Sequence, residues 1–561
     1  MNKLINAITG ITLTAVVGLL NCALSGCDNR SDVGAVVATV AAAAKTSSQG
    51  STGERDTDKV PALSYVEHDE RYNPEAPIPP QCYTKTEGKH NPCYVCHQTY
   101  QNDKKRTNTM ADGYLQGLYA FSDAGLSNGW KNLFKDRRDY IDSVSDEAIL
   151  KYISEDNFTP LIEWMRTDAW SGVVPAIENL HKGAAAFDQY GLAKDGSRWV
   201  AFNYKPFPGT FWPTNGATDD VMIRLDKAFS EIDGQFSQDV YFANLSLLEM
   251  AINDLREVTS IPLDETALKI DLDGDGRLSA AVTHVLRRNT YLGDAGEIKL
   301  SHMLYPKDTE FLHTVRYIGV AAEGNIYNAA RMKEVRYMRK NTLFSRDRIV
   351  GAYYKEAKEK HSGNLPTASD FGDRGISNSF GWLLWGFIED AEGHLRKQHF
   401  EEQFFCTGCH KTIGGTIDQT FSFPRKVAGA AGWGYIDLRR VTDTPNLGET
   451  KGEYLTYMER VNGGDEYRQN GEMLARWFNP DGTVNAQKTE SLGSVYELIT
   501  PSAQRALTLN KAYQAIVIEQ SYLFGRDVVI QPATNVYQHI DPSTLPLEAE
   551  YRYQWDIRPA L

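Results

Sequence analysis

Two five-residue stretches constrain this chain more than anything else in it: CYVCH at residues 93–97 and CTGCH at residues 406–410. They take up four of the 7 cysteines and two of the 12 histidines in 561 residues. Random placement would give on the order of 0.002 matches to C-x-x-C-H, a spacing that reads as c-type haem attachment. The spacing has a direct cause. Two thiols, Cys93 and Cys96 or Cys406 and Cys409, must reach the two vinyl groups of one porphyrin and form thioether bonds. The next residue, His97 or His410, must aim an imidazole at the iron from below the ring, and His is the usual proximal ligand. Two covalently attached haem c groups are therefore expected.

The N-terminus agrees with chemistry that takes place outside the cytoplasm. Lys3 supplies a positive start, and an apolar run from about Ile8 to Leu20 follows, shorter than a membrane-spanning helix needs. The run ends in L-S-G-C, with small residues packed before Cys27. This resembles a bacterial lipobox, so residues 1–26 are expected to leave as a signal peptide and Cys27 to carry lipid. Cys22 leaves with the signal. Cys82 is then the one cysteine outside the scheme, expected as a small buried hydrophobe. Residues 27–60 lack aromatics and are rich in Ala, Ser, Thr and Gly, the composition of a tether.

The remainder is long enough for two to four domains, and 11% aromatic content allows a large core. The formal charge of −14 suits docking to a basic redox partner and gives no basic footprint for nucleic acid. The pattern along the chain predicts an α+β fold with much irregular structure. A first haem-binding segment covers residues 61–135, dense in proline and polar residues. A mixed central region covers 136–380. A second haem-binding, cytochrome c-like domain covers 381–561. Helices are expected after Ser145 as N-cap, over SQDVYFANLSLLEMAINDL, and over TPSAQRALTLNKAYQAIVIEQSYLFG with Thr500 as cap. TEFLHTVRYIGVAA alternates as a strand, and FGWLLWGFIEDAEGHLRKQHFEE reads as a hairpin turning at Asp390 to Gly393. The aromatic stretch at 197–216 is expected as a loop packed on the core, with Phe211 and Trp212 as candidate pocket walls.

DLDGDGRLS at residues 271–279 resembles the start of a calcium loop. Asp271, Asp273 and Asp275 alternate, Gly276 permits the sharp turn, and the carbonyl of Arg277 would add an oxygen. The twelfth position is Val282 rather than Glu, so a later carboxylate, Asp294 or Glu297, is needed to complete a Ca2+ site.

The ligand opposite each proximal His decides the chemistry, since Met or His closes the iron and an open position binds small molecules. Met110 and His68 lie nearest the first motif. Met458 stands 48 residues after His410, and His394 and His399 precede the second motif. His302 and His313 could reach either iron through the fold. Met110, Met458, His399 and His313 are the distal candidates.

The two motifs make the chain similar to dihaem c-type cytochromes, a resemblance confined to the two pentapeptides and to His97 and His410. It implies an exported, lipid-anchored protein facing the periplasm or the cell surface that passes single electrons to a redox partner protein, more a carrier than an enzyme. A haem-dependent, peroxidase-like oxidoreductase with one open iron is the alternative. A surface binding protein with structural haems is the third.

Overall fold

A computed structural model describes residues 78–99, 112–209, 212–362, 364, 368–463 and 467–560. The signal, tether, Cys27, His68, Met110 and Phe211 lie outside them. The described residues up to 356 and from 368 on form one compact unit. The fold is α+β with long irregular stretches.

Its centre is an eight-stranded antiparallel sheet. The strands are β1 (Val200–Ala201), β2 (Thr218–Arg224), β3 (Glu310–Val320), β4 (Ile326–Lys340), β5 (Ser369–Asp370), β6 (Ile376–Ser377), β7 (Trp382–Glu389) and β8 (Leu395–Lys397). The order is β1-β2-β3-β4-β7-β6-β5, with β8 on the other side of β7's end. The expected strand over TEFLHTVRYIGVAA is β3. The expected hairpin is β7–β8, closed by Asp390, whose backbone N–H donates to the His394 carbonyl at 2.7 Å, and by Gly393 at φ 89°.

Period-2 alternation divides the sheet residues between two cores. Ile223, Phe311, Met338 and Leu384 face one core, and Met222, Leu312, Tyr337 and Trp385 face the other. The first core is filled by helix α2, Gln238–Asn253, buried all round. Ser237 caps it by accepting from the Val240 N–H, and Asp254 ends it at φ 57°. Before it, α1 (Asp146–Ile153) starts at Ser145, which accepts from the Ala148 N–H at 3.1 Å. Helix α3 is Glu453–Val461 and α4 is Ala503–Glu519.

The cap of α4 differs from expectation. Thr500 donates its hydroxyl to the Tyr496 carbonyl and closes the preceding short helix. Ser502 is the cap instead, accepting from the Arg505 N–H at 3.2 Å. The aromatic stretch is packed inward as expected, with Trp199, Phe202, Tyr204, Phe207 and Trp212 all buried.

Candidate functional site

The first C-x-x-C-H segment sits on a 3-10 turn, Pro92–Val95. Pro92 presets the turn, and Asn91 caps it by accepting from the Tyr94 N–H at 3.0 Å. The second sits on the short helix Phe405–Cys409, which follows another short helix, Phe400–Gln403. In both segments the His backbone N–H donates to the carbonyl of the first Cys at 2.9 Å. One helical turn therefore carries Cys, Cys and His in each.

The chain brings these segments together although Cys406 comes 313 positions after Cys93. The Gly415 N–H donates to the Cys96 carbonyl at 2.8 Å. A Cβ at Gly415 would lie 2.8 Å from the Val95 carbonyl oxygen, closer than packed atoms allow, so only glycine permits this approach. The Gly414 N–H donates to Asp112 Oδ2 at 3.1 Å. Asp112 is buried, and the same oxygen lies 3.1 Å from His97 Nδ1, while its Oδ1 accepts from the Gln98 N–H at 2.8 Å. One carboxylate thus ties the first imidazole to the loop after the second motif.

The second imidazole is held differently. His410 Nδ1 lies 2.7 Å from the Gln419 carbonyl oxygen. A carbonyl only accepts, so Nδ1 carries the proton and the Nε2 lone pair stays available. Burial pushes the His410 pKa down to about 4, against the Gln419 carbonyl and with help from the charges of Arg336 and His313. The ring is therefore neutral near pH 7. Gln419 reaches it through an uncommon turn: Asp418 at φ 47° and Gln419 at φ 60° are consecutive left-handed residues without glycine. The turn is pinned by a fully buried ion pair, Lys340 Nζ to Asp418 Oδ1 at 2.5 Å, and by the Tyr305 N–H donating to Asp418 Oδ2 at 3.0 Å.

None of the four motif cysteines is in a disulfide. Burial pushes the Cys93 and Cys409 thiols up to about 11, and those of Cys96 and Cys406 upward as well. They remain neutral thiols near pH 7. Cys96 lies within electrostatic reach of Cys409, Cys82, Asp112 and Cys93. Cys82 is partly exposed rather than buried: it lies at this gathering of thiols, while Tyr83 of the same 3-10 turn, Pro80–Tyr83, is packed in a core.

Among the distal candidates, His313 comes to the second motif. It stands on β3 opposite Arg336 on β4, on the sheet face that also carries Phe311 and Met338, and both act on His410. Its Nε2 lies 3.1 Å from Asp219 Oδ2, and the Tyr204 hydroxyl donates to the same oxygen. Arg336 pairs with Glu334 at 3.0 Å, as does Arg526 at 3.1 Å. Asp219 also lines a cavity of about 480 Å3 with Tyr435, Asp188 and Arg439. Met458 is buried on α3, and that helix stands at the first motif: the Asn91 N–H donates to the Arg460 carbonyl at 2.8 Å. His399 precedes Phe400–Gln403, its N–H donating to Glu402 Oε2 at 2.9 Å, and burial lowers its pKa. His302 pairs with Asp254 at 3.2 Å and exposed His394 with Asp390 at 3.8 Å.

In the acidic loop, carboxylate oxygens of Asp271 and Asp273 come within 4.8 Å of each other and of Glu265. Asp271 accepts from the N–H groups of Gly274 and Gly276, and Asp275 from that of Arg277. Glu265 lies before the loop, and its carboxylate accepts from the N–H groups of Leu272 at 2.5 Å and Ser279 at 2.9 Å. Asp294 instead caps the turn at Asp233 and Gly234. Asp112, Gln419, Arg336 and Glu265 carry no motif signal in the sequence.

Residues 66–492 match the model of a family described as ":-like lipoprotein". An "Uncharacterized lipoprotein" of Aquifex aeolicus (strain VF5) is 31% identical over 537 residues, covering 83% of this chain and 87% of the relative. The chain belongs to this lipoprotein family. Membership carries export and anchoring to a membrane through lipid. Among the described residues no helix is long and apolar enough to cross a membrane. No solved structure matches the chain.

Proposed function

We propose that this lipoprotein is a dihaem c-type electron carrier, anchored through acylated Cys27 and exchanging single electrons with a redox partner protein. The observation that carries the reading is the meeting of two C-x-x-C-H turns whose imidazoles are each fixed at Nδ1. The donor set fits the group: four neutral thiols outside disulfides, and a neutral His410 with Nε2 left to bind. Haem, when bound, supplies an iron that exchanges one electron. Cys93, Cys96 and His97 would hold one group, and Cys406, Cys409 and His410 the other.

The chain's own part is orientation. Asp112 and the Gln419 carbonyl fix the ring planes and tautomers of the two imidazoles, as outer partners of metal-binding His residues commonly do. The Gly415–Cys96 contact holds the two turns against one another, which shortens any path between them. The loop at 271–277 would hold one Ca2+ through Glu265, Asp271 and Asp273, with a structural role.

A second reading, an oxidoreductase with one open iron, draws on His313 and Arg336. The His313 imidazole backed by Asp219 and a guanidinium beside the second motif are groups that could polarise a small bound oxidant. Optical and EPR spectra of the purified holoprotein test the two. Two low-spin irons indifferent to cyanide and carbon monoxide are expected for the carrier. A high-spin iron that binds them would replace it with the enzyme.

A further inference from the structure

We infer that the two centres are built with unequal reduction potentials, the one at His97 lower than the one at His410, with Asp112 as the residue that sets the difference. This deepens the dihaem reading and rests on it. The two imidazoles have different partners at Nδ1. His97 faces a buried carboxylate at 3.1 Å, and His410 faces a neutral backbone carbonyl at 2.7 Å. A carboxylate pulls the Nδ1 proton toward itself and makes the ring a stronger donor, which favours the more positive, oxidised iron. A carbonyl does this far less.

The fixed charges act in the same sense. Asp112 faces Cys96. Around Cys406 stand Arg336 and Arg526 with Glu334, and around Cys409 stand Arg336 and Asp527. Glu334 is shared by both arginines, and Asp527 is engaged by Arg468 at 2.7 Å. At the second centre two arginines offset two carboxylates, whereas Asp112 adds a negative charge beside Cys96 at the first, which disfavours the reduced state there. An electron delivered at the His97 end by a one-electron donor protein runs downhill to the His410 end. With haem held at both motifs, the group at His97 would end oxidised and the one at His410 reduced, with no bond made or broken.

Asp112 is a positioning and tuning residue, and its test reads potentials. The full exported holoprotein is titrated potentiometrically and followed optically. Two one-electron waves are expected, separated by at least a tenfold difference in reduction equilibrium, about 59 mV. Asp112→Asn keeps an acceptor for Nδ1 and removes the charge, so the lower wave should move up by tenfold or more while the upper one stays within threefold. Asp112→Glu should restore most of the gap. If Asp112→Asn accumulates poorly, Arg336→Gln serves in its place and should lower the upper wave alone. Coincident waves in the wild type, equal movement of both waves in Asp112→Asn, or movement of the wrong wave would overturn the inference while leaving two haems in the pyridine haemochrome assay. Absence of haem from that assay would overturn the dihaem reading and this inference with it.

Discussion

Replacing Lys340 by Ala should damage the second motif from a distance, through the turn that holds His410. Lys340 Nζ and Asp418 Oδ1 are 2.5 Å apart, and both side chains are fully buried. Burial pulls the Lys340 ammonium below its ordinary pKa, and the Asp418 carboxylate pulls it back up. Removing one member of such a pair leaves an uncompensated buried charge and costs about 3–5 kcal/mol. Among the described residues the Asp418 carboxylate also accepts from the Tyr305 N–H at 3.0 Å. The turn has its own tension, because left-handed backbone costs about 1–2 kcal/mol per L-residue and Asp418 and Gln419 both adopt it. Without the ion pair the turn should relax and take the Gln419 carbonyl away from His410. Urea unfolding followed by tryptophan fluorescence should show a loss of about 3–5 kcal/mol. The double variant Lys340→Met/Asp418→Asn removes both charges and should recover most of it. A loss below about 1 kcal/mol, or a double variant no more stable than the single one, would refute the argument that this buried pair pins the turn.

Four further outcomes are expected. Lys333 is buried with its Nζ donating to the Gly216 carbonyl at 2.5 Å, and burial lowers its pKa from 10.5 to about 7. The unfolded chain therefore binds more protons than the folded one between about pH 7 and 10.5, so this group makes stability rise with pH across that window. Lys333→Met should flatten the rise in urea midpoint between pH 7 and pH 9, and an unchanged slope would contradict the assignment. Ca2+ added to chelator-treated protein should raise the melting temperature, and Glu265→Gln should weaken the rise; equal rises in both proteins would exclude Glu265 as a ligand. Gly415→Ala would force its Cβ against the Val95 carbonyl oxygen and should cost about 1–3 kcal/mol in thermal unfolding. Cys406→Ser should weaken attachment of one porphyrin and leave the other, read by pyridine haemochrome stoichiometry; simultaneous loss of both would show that the two segments do not load independently.

Local chemistry was the legible part of this chain. Ser145 and Ser237 are caps in the structure because each is followed by a strongly helical run and its hydroxyl has no nearer competitor. Alternation revealed β3, and the turn residues between Asp390 and Gly393 revealed the β7–β8 hairpin. Thr500 was the expected cap of α4, but its hydroxyl is taken by the Tyr496 carbonyl of the preceding helix, and Ser502 caps in its place. The C-x-x-C-H spacing spoke for each segment alone. That the segments meet was hidden, because the meeting depends on Gly414 and Gly415 approaching Asp112 and Cys96 across 300 residues of sheet and helix. The same reason hid Asp112 and Gln419, ordinary polar residues whose role comes from where the fold puts one oxygen. Met458 was singled out by its distance in sequence from His410, and its helix α3 is bonded to the chain just before the first motif. The grouping of Glu265 with Asp271 and Asp273 was hidden because a calcium-type loop is read forwards from its first Asp, and this carboxylate precedes it.

The most direct measurement of the central claim is the mass of two peptides from the mature, exported protein. After proteolysis, the fragments holding residues 93–97 and 406–410 should each be heavier than their amino acids by one porphyrin joined through two thioether bonds. Bare masses at both would contradict covalent haem at the meeting point of the two turns and leave the gathered thiols to be explained by another chemistry.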